Sequence, residues 1–221
     1  MRWGALVIVA VIGGNAAGEP CPKDIRTKLV GEYDDGTGRA PMDAKRIQIA
    51  ACVWGKFAGP GWYVEHLVPW AKDSKAEVGP PGGEVFVAKD GTIAASHFSE
   101  GATPLEARAI DLDGDGVDEI VITNKWTSTM TPESGERLSV ERVNDSKIDS
   151  LFSKNISAHS GFRSEVTDCT GKLAIEAVAG GGKQLVVTVK VKHDTDVPTC
   201  MTAGRHVFRY TKTGGVQEVV K

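Results

Sequence analysis

Nine consecutive residues carry most of the recognisable chemistry in this chain: Asp111-Leu112-Asp113-Gly114-Asp115-Gly116-Val117-Asp118-Glu119. Carboxylates stand at the first, third, fifth and ninth positions, and a glycine at the sixth. A hard cation such as calcium takes six or more oxygens at about 2.3 to 2.6 Å, and alternate side chains on a tightly curled loop converge on one centre. The ligand set read from this spacing is Asp111, Asp113, Asp115 and Glu119, the last binding directly or through water, with the Val117 carbonyl as a backbone ligand. Gly116 permits the sharp turn. Five carboxylates within nine residues would repel one another without a cation, so calcium is the expected cofactor, in a structural role.

An EF-hand would place a bidentate glutamate at position twelve, between helices. Position twelve here is Ile122, inside the apolar run Ile120-Val121-Ile122-Thr123. Strand, aspartate loop, strand resembles instead the calcium-binding repeats of the FG-GAP and VCBS type, found in integrin-like propellers and in many exported bacterial proteins. The resemblance covers Ile110 to Asn124, and its specific part is the loop. It implies calcium held by Asp111, Asp113, Asp115 and Glu119; Glu119 departs from the shorter Asp usual in that family.

The elements that must position this loop read as β-strands. Val and Thr recur in short runs between turn residues, and Gly is abundant at 26 residues. Arg46 to Trp54 and Trp62 to Val68 form two strands about the turn Ala58-Gly59-Pro60-Gly61, preceded by a short helical turn at Asp24 to Leu29. Residues 71 to 83 read as a loop. Asp90-Gly91 then joins Glu84–Ala88 to Ile93–Phe98 as a hairpin. Ala109-Ile110-Asp111 and Ala174-Ile175-Glu176 lie 65 positions apart and lead equally to Ile120-Val121-Ile122-Thr123 and Leu185-Val186-Val187-Thr188. A further hairpin follows each, Leu138 to Phe152 and His206 to Val220. The expected fold is therefore mainly β, with repeated antiparallel β-meander units in a propeller-like or sandwich arrangement. A single β domain is expected over 19–221, with related units near 105–153 and 172–221; the second keeps the loop glycines Gly180-Gly181-Gly182 without the carboxylates.

Residues 1–18 run from Arg2 through the apolar Ala5–Ile12 to small residues, in the order of a secretory signal peptide. The apolar run is too short for the ~20 residues that cross a bilayer, so no stable membrane span is expected after cleavage. Removing Arg2 moves the formal charge from −3 to −4, and no polybasic patch points to nucleic acid. Four cysteines remain, Cys21, Cys52, Cys169 and Cys200. An even number in an exported chain reads as two disulfides, and of three connectivities locality favours Cys21 with Cys52 and Cys169 with Cys200. The expected location is secreted, periplasmic or associated with the cell envelope.

No catalytic constellation stands out. His66, His97, His159, His193 and His206 lack metal-ligand spacing, and His193-Asp194-Thr195-Asp196 is the most site-like group. Trp54, Trp62, Tyr63 and Trp70 could form a carbohydrate-stacking face, though core packing is the commoner use of such residues. Asn144-Asp145-Ser146 and Asn155-Ile156-Ser157 match the glycosylation sequon. The expected function is an exported calcium-binding β domain, a non-enzymatic binding or adhesion module for a protein or carbohydrate ligand. The alternatives are a secreted hydrolase assembled only by the fold, or a purely structural envelope protein.

Overall fold

The computed structural model describes residues 19–32, 44–67, 81–100, 103–127, 133–162, 165–192, 200–213 and 215–219. The leader at 1–18, Trp70, residues 71–80 of the expected loop and the group at 193–196 lie outside them.

A helix, α1 (Ile25–Glu32), precedes β1 (Gln48–Lys56), β2 (Pro60–Leu67), β3 (Pro81–Ala88) and β4 (Ile93–Glu100), which form a four-stranded sheet in that order. Then come β5 (Thr103–Ile110), β6 (Glu119–Thr127), β7 (Glu133–Asn144), β8 (Lys147–Phe162), β9 (Glu165–Ala177), β10 (Lys183–Val191), β11 (Gly204–Thr211) and β12 (Gly215–Glu218). These eight hydrogen-bond, each antiparallel to its neighbour, as one continuous meander from β5 to β12. The fold is mainly β, with two antiparallel sheets that do not close. Four-stranded propeller blades would leave β8 and β9 unpaired; here Ala158 to Phe162 of β8 pair with Cys169 to Glu165 of β9. Pro81 to Gly83, expected as the end of a loop, begin β3, because Gly82 and Gly83 pair in register with Leu67 and His66. Their loop-like composition is outweighed by this sheet pairing.

Alternating side chains divide the interior into three clusters. Ile25 and Leu29 of α1 cover one face of the smaller sheet against Trp62, Val64, Val85 and Val87. On its other face, Tyr63, Phe86 and Ala95, with Phe57, meet Ile120, Ile122, Val143 and Ile148 of the larger sheet in a sandwich-like arrangement. A third cluster lies within the larger sheet, where Val121, Leu138, Val140 and Ile156 pack with Leu185, Val187 and Phe208. Burying each such aliphatic or aromatic side chain contributes about 1.5 to 3 kcal/mol.

Disulfides join Cys21 to Cys52 and Cys169 to Cys200, with Cα separations of 5.9 and 6.7 Å. The first ties the segment before α1 to β1, and the second ties β9 to the chain before β11. Each spans 31 residues and contributes roughly 3 to 4 kcal/mol in the chain-entropy model. Two disulfides suit an oxidising compartment. Among the described residues no helix is long and apolar enough to cross a membrane.

Candidate metal centre

The aspartate loop spans the gap between β5 and β6 and is fastened on two sides. The Asp118 N–H donates to the Lys56 carbonyl at 2.8 Å, and the Lys56 N–H donates to Asp118 Oδ2 at 2.7 Å, which holds the loop to the end of β1. On the other side the Lys183 N–H donates to the Leu112 carbonyl at 2.8 Å, so the loop also rests on the β9–β10 turn. Gly182 sits at this contact with φ +75°; a Cβ there would stand 2.5 Å from the Leu112 oxygen and 3.0 Å from the Asp113 carbonyl carbon. The ligand-poor loop of the second hairpin is thus a buttress for the first.

Within the loop, side chains hold the curl. Asp111 accepts from the N–H groups of Gly114 (2.7 Å), Asp115 (3.1 Å) and Gly116 (2.9 Å). Asp113 accepts from the Asp115 N–H at 3.2 Å, and Asp115 from the Val117 N–H at 2.8 Å. Gly116 has φ +86°, a left-handed conformation that glycine adopts without strain. One carboxylate oxygen from each of Asp111, Asp113 and Asp115 lies within 4.8 Å of the others. Oxygens about 2.3 to 2.6 Å from one calcium ion stand no more than about 5 Å apart, so the trio could hold a single metal ion. Asp113 Oδ2 is buried and makes no hydrogen bond, as an oxygen reserved for a cation would be.

Glu119 begins β6 and is completely buried. Its Oε2 accepts from the Leu112 N–H at 3.0 Å, while Oε1 has no hydrogen bond and faces Arg142 Nη1 at 3.6 Å. Burial pushes its carboxyl up to about 7, opposed by the Leu112 N–H and by Arg142. Glu119 is outside the converging trio, and it is tied to the loop through the Leu112 backbone.

Two cations that sequence spacing did not reveal complete the surroundings. Lys212, beyond β11, places Nζ 2.7 Å from Asp115 Oδ2, and Arg142 of β7 places Nη2 3.6 Å from the same oxygen. The Lys212 contact, helped by the Val117 N–H, holds the Asp115 carboxyl below its usual range. Arg142 also donates to the Tyr210 hydroxyl and lies over the Tyr210 ring, 5.7 Å from its centroid. These cations partly offset the carboxylate repulsion, and any metal ion must share or displace them.

The other sequence candidates fall elsewhere. His206 is joined to a carboxylate, with Nδ1 2.7 Å from Glu218 Oε1, but its Nε2 lies 2.7 Å from the Thr202 carbonyl. Both ring nitrogens are engaged, and although burial opposes it, the Thr202 and Glu218 contacts raise the pKa overall. The ring therefore lacks a free nitrogen to act as a base. His66 is buried, and burial pulls its pKa down to about 4. His159 lines an open cavity of about 520 Å³ with Trp126 and Cys169. Trp62 and Tyr63 are buried, and Trp54 meets Trp62 edge-on at 4.6 Å. These three aromatic residues belong to the core rather than to an exposed stacking platform.

A group of carboxyls missed in the sequence lies between the sheets. Tyr63 and Glu65 of β2, Glu84 of β3 and Glu141 of β7 come together there, with Tyr63 Oη 3.0 Å from Glu65 Oε1 and 3.3 Å from Glu141 Oε2. Burial and the neighbouring carboxyls raise Glu141 to about 9, and burial with Glu84 raises Glu65 to about 7. The available signal was phase: Glu65 alternates with Tyr63, and Glu84 with Phe86, on strand positions that point to the core.

Comparisons with protein-family models, curated proteins and solved structures return no match. The site and the fold therefore carry the functional argument.

Proposed function

We propose that the chain is an exported calcium-binding β domain whose ion is structural, and that it serves as a non-enzymatic binding or adhesion module outside the cytoplasm. The observations that carry the calcium reading are the approach of one oxygen from each of Asp111, Asp113 and Asp115 to within 4.8 Å of the others and an Asp113 Oδ2 that is buried without a hydrogen bond. The Val117 carbonyl and Glu119 complete the proposed ligand set, as in the FG-GAP and VCBS repeats that the loop resembles. A structural role follows from position, since the loop touches both the end of β1 and the β9–β10 turn. An ion there would stiffen the junction of the two sheets. The two disulfides support export to an oxidising compartment. The units near 105–153 and 172–221 are proposed as copies of one meander, of which the first alone keeps the metal ligands.

The test is calorimetric titration of calcium into chelator-stripped protein, beside an Asp113→Ala, Asp115→Ala variant, followed by thermal melting. About one equivalent should bind with Kd on the order of 10⁻⁴ to 10⁻³ M, as in extracellular modules. Calcium should raise the wild-type melting temperature and leave the variant unchanged. Absence of saturable binding at millimolar calcium would refute the proposal.

A further inference from the structure

The strand β12 lies at the edge of the larger sheet, with β11 as its neighbour. Its residues are Gly215-Val216-Gln217-Glu218, and Val216 alone among them packs against the core. Backbone pairing runs from Thr211 with Gly215 to Phe208 with Glu218, and just beyond it the Val219 N–H donates to the Val207 carbonyl at 2.7 Å. With so little apolar surface buried, the docking of this strand responds to each polar contact it makes.

His206 of β11 supplies two contacts at this edge. Its Nδ1 lies 2.7 Å from Glu218 Oε1, and its Nε2 lies 2.7 Å from the Thr202 carbonyl. A carbonyl oxygen and an ionised carboxylate can only accept, so both ring nitrogens must carry a proton for both contacts to be hydrogen bonds. The ring that fits this geometry is the imidazolium. A neutral ring has a single N–H and would leave one of the two acceptors facing a nitrogen lone pair. Thr202 stands two residues after Cys200, which is bonded to Cys169 of β9, so the Thr202 side is anchored covalently. The side free to yield is β12.

Among the described residues the charged group that acts on the ring is Glu218. Arg205 and Arg209 occupy the alternate positions of β11 and are turned to Glu176 at 2.9 Å and to Gln184 Oε1 at 3.1 Å. Lys212 is turned to Asp115 at 2.7 Å. In register with His206 across the sheet stand Val187 of β10 and then Leu173 of β9, neither of which titrates. Burial lowers the pKa of the ring, but the Thr202 carbonyl and Glu218 raise it above the ordinary 6.5 overall. The proton is thus held more tightly with β12 docked than with it released. Docking is fully favoured below about 6.5 and weakens as pH rises through the raised value. We infer that His206 is a proton-dependent latch: as imidazolium it clips β12, through Glu218, to the anchored Thr202 segment, and on losing a proton it releases the strand and bares the hydrogen-bonding edge of β11.

Hydrogen exchange of the Val219 amide in the whole chain, at fixed excess calcium, reads the opening of the strand. The Ala88 amide, which donates to the Thr92 carbonyl at 2.9 Å in the other sheet, is the control. Between about pH 6 and about pH 8.5 the protection factor of Val219 should fall by about tenfold relative to that of Ala88, the loss expected when a charge-assisted hydrogen bond becomes a neutral one. Nitrogen-15 shifts of the His206 ring should show both nitrogens protonated at the acid end of that range. His206→Gln should remove the pH dependence, because its amide does not titrate there. Glu218→Gln, which leaves the ring in place, should move the fall to lower pH. Three outcomes would overturn the latch: equal changes at Val219 and Ala88, a wild-type fall that persists in His206→Gln, or a ring with one protonated nitrogen at the acid end.

Discussion

Replacing Glu141 with glutamine should alter how stability depends on pH, and the direction follows from where its proton resides. Glu141 is 8% exposed, and burial with the charge of Glu84 and Glu65 raises its carboxyl from 4.5 to about 9. In the unfolded chain the same group releases its proton near 4.5. Between those values the folded state holds a proton that the unfolded state has lost. The protein is therefore most stable below about 4.5 with respect to this group, and loses stability as pH rises toward 9. One excess proton corresponds to about 1.4 kcal/mol per pH unit. From pH 5 to pH 7 the wild type should thus lose on the order of 3 kcal/mol through Glu141 alone. Glutamine copies the neutral carboxyl in shape and cannot ionise. The stability of Glu141→Gln relative to wild type should therefore rise by about 3 kcal/mol between those pH values. Urea unfolding at pH 5, 6 and 7, with disulfides intact and calcium in excess, measures it. A difference independent of pH would show that Glu141 is ionised in the folded protein, and the account of the buried carboxyl group would fail.

Two further outcomes concern the aspartate loop. Lys212→Met should increase calcium affinity by a few fold, because Lys212 Nζ sits 2.7 Å from Asp115 Oδ2 and competes with the ion; surface pairs have effects of this modest size. Calorimetry compares the two, and weaker binding in the variant would show that Lys212 helps to organise the site. Gly182→Ala should destabilise the fold by about 1 to 3 kcal/mol, since a left-handed backbone and a Cβ 2.5 Å from the Leu112 oxygen cannot both persist. Calcium binding should weaken with it, and a melting temperature equal to that of the wild type would remove the buttress from the argument.

Much of this protein is legible where the relevant interactions are local. The Asp90-Gly91 turn between Val85–Ala88 and Ile93 marks a hairpin, and the Asn144-Asp145-Ser146 turn, with Asp145 at φ +39°, marks another. The curl of the aspartate loop is local as well: each hydrogen bond holding it spans two to five residues, so spacing alone announces it. Strand length was harder to read. The β8 strand runs to Phe162, well past the apolar run ending at Phe152, because Ile156 and Ala158 pack into a core that includes Leu185 and Phe208.

By itself the sequence determined the mainly β character, the strand phases, the acidic loop and the parity of the cysteines, all properties written within a few neighbouring residues. Tertiary structure decided the rest. It divided the strands into a four-stranded sheet and an eight-stranded sheet, and it brought Arg142 and Lys212 to Asp115. It also gathered Glu65, Glu84 and Glu141 from both sheets around one tyrosine. The reason is physical: a charge or carboxyl 19 to 97 residues away acts only once the sheets face each other, because Coulomb and desolvation energies depend on separation and burial in space, not on position along the chain.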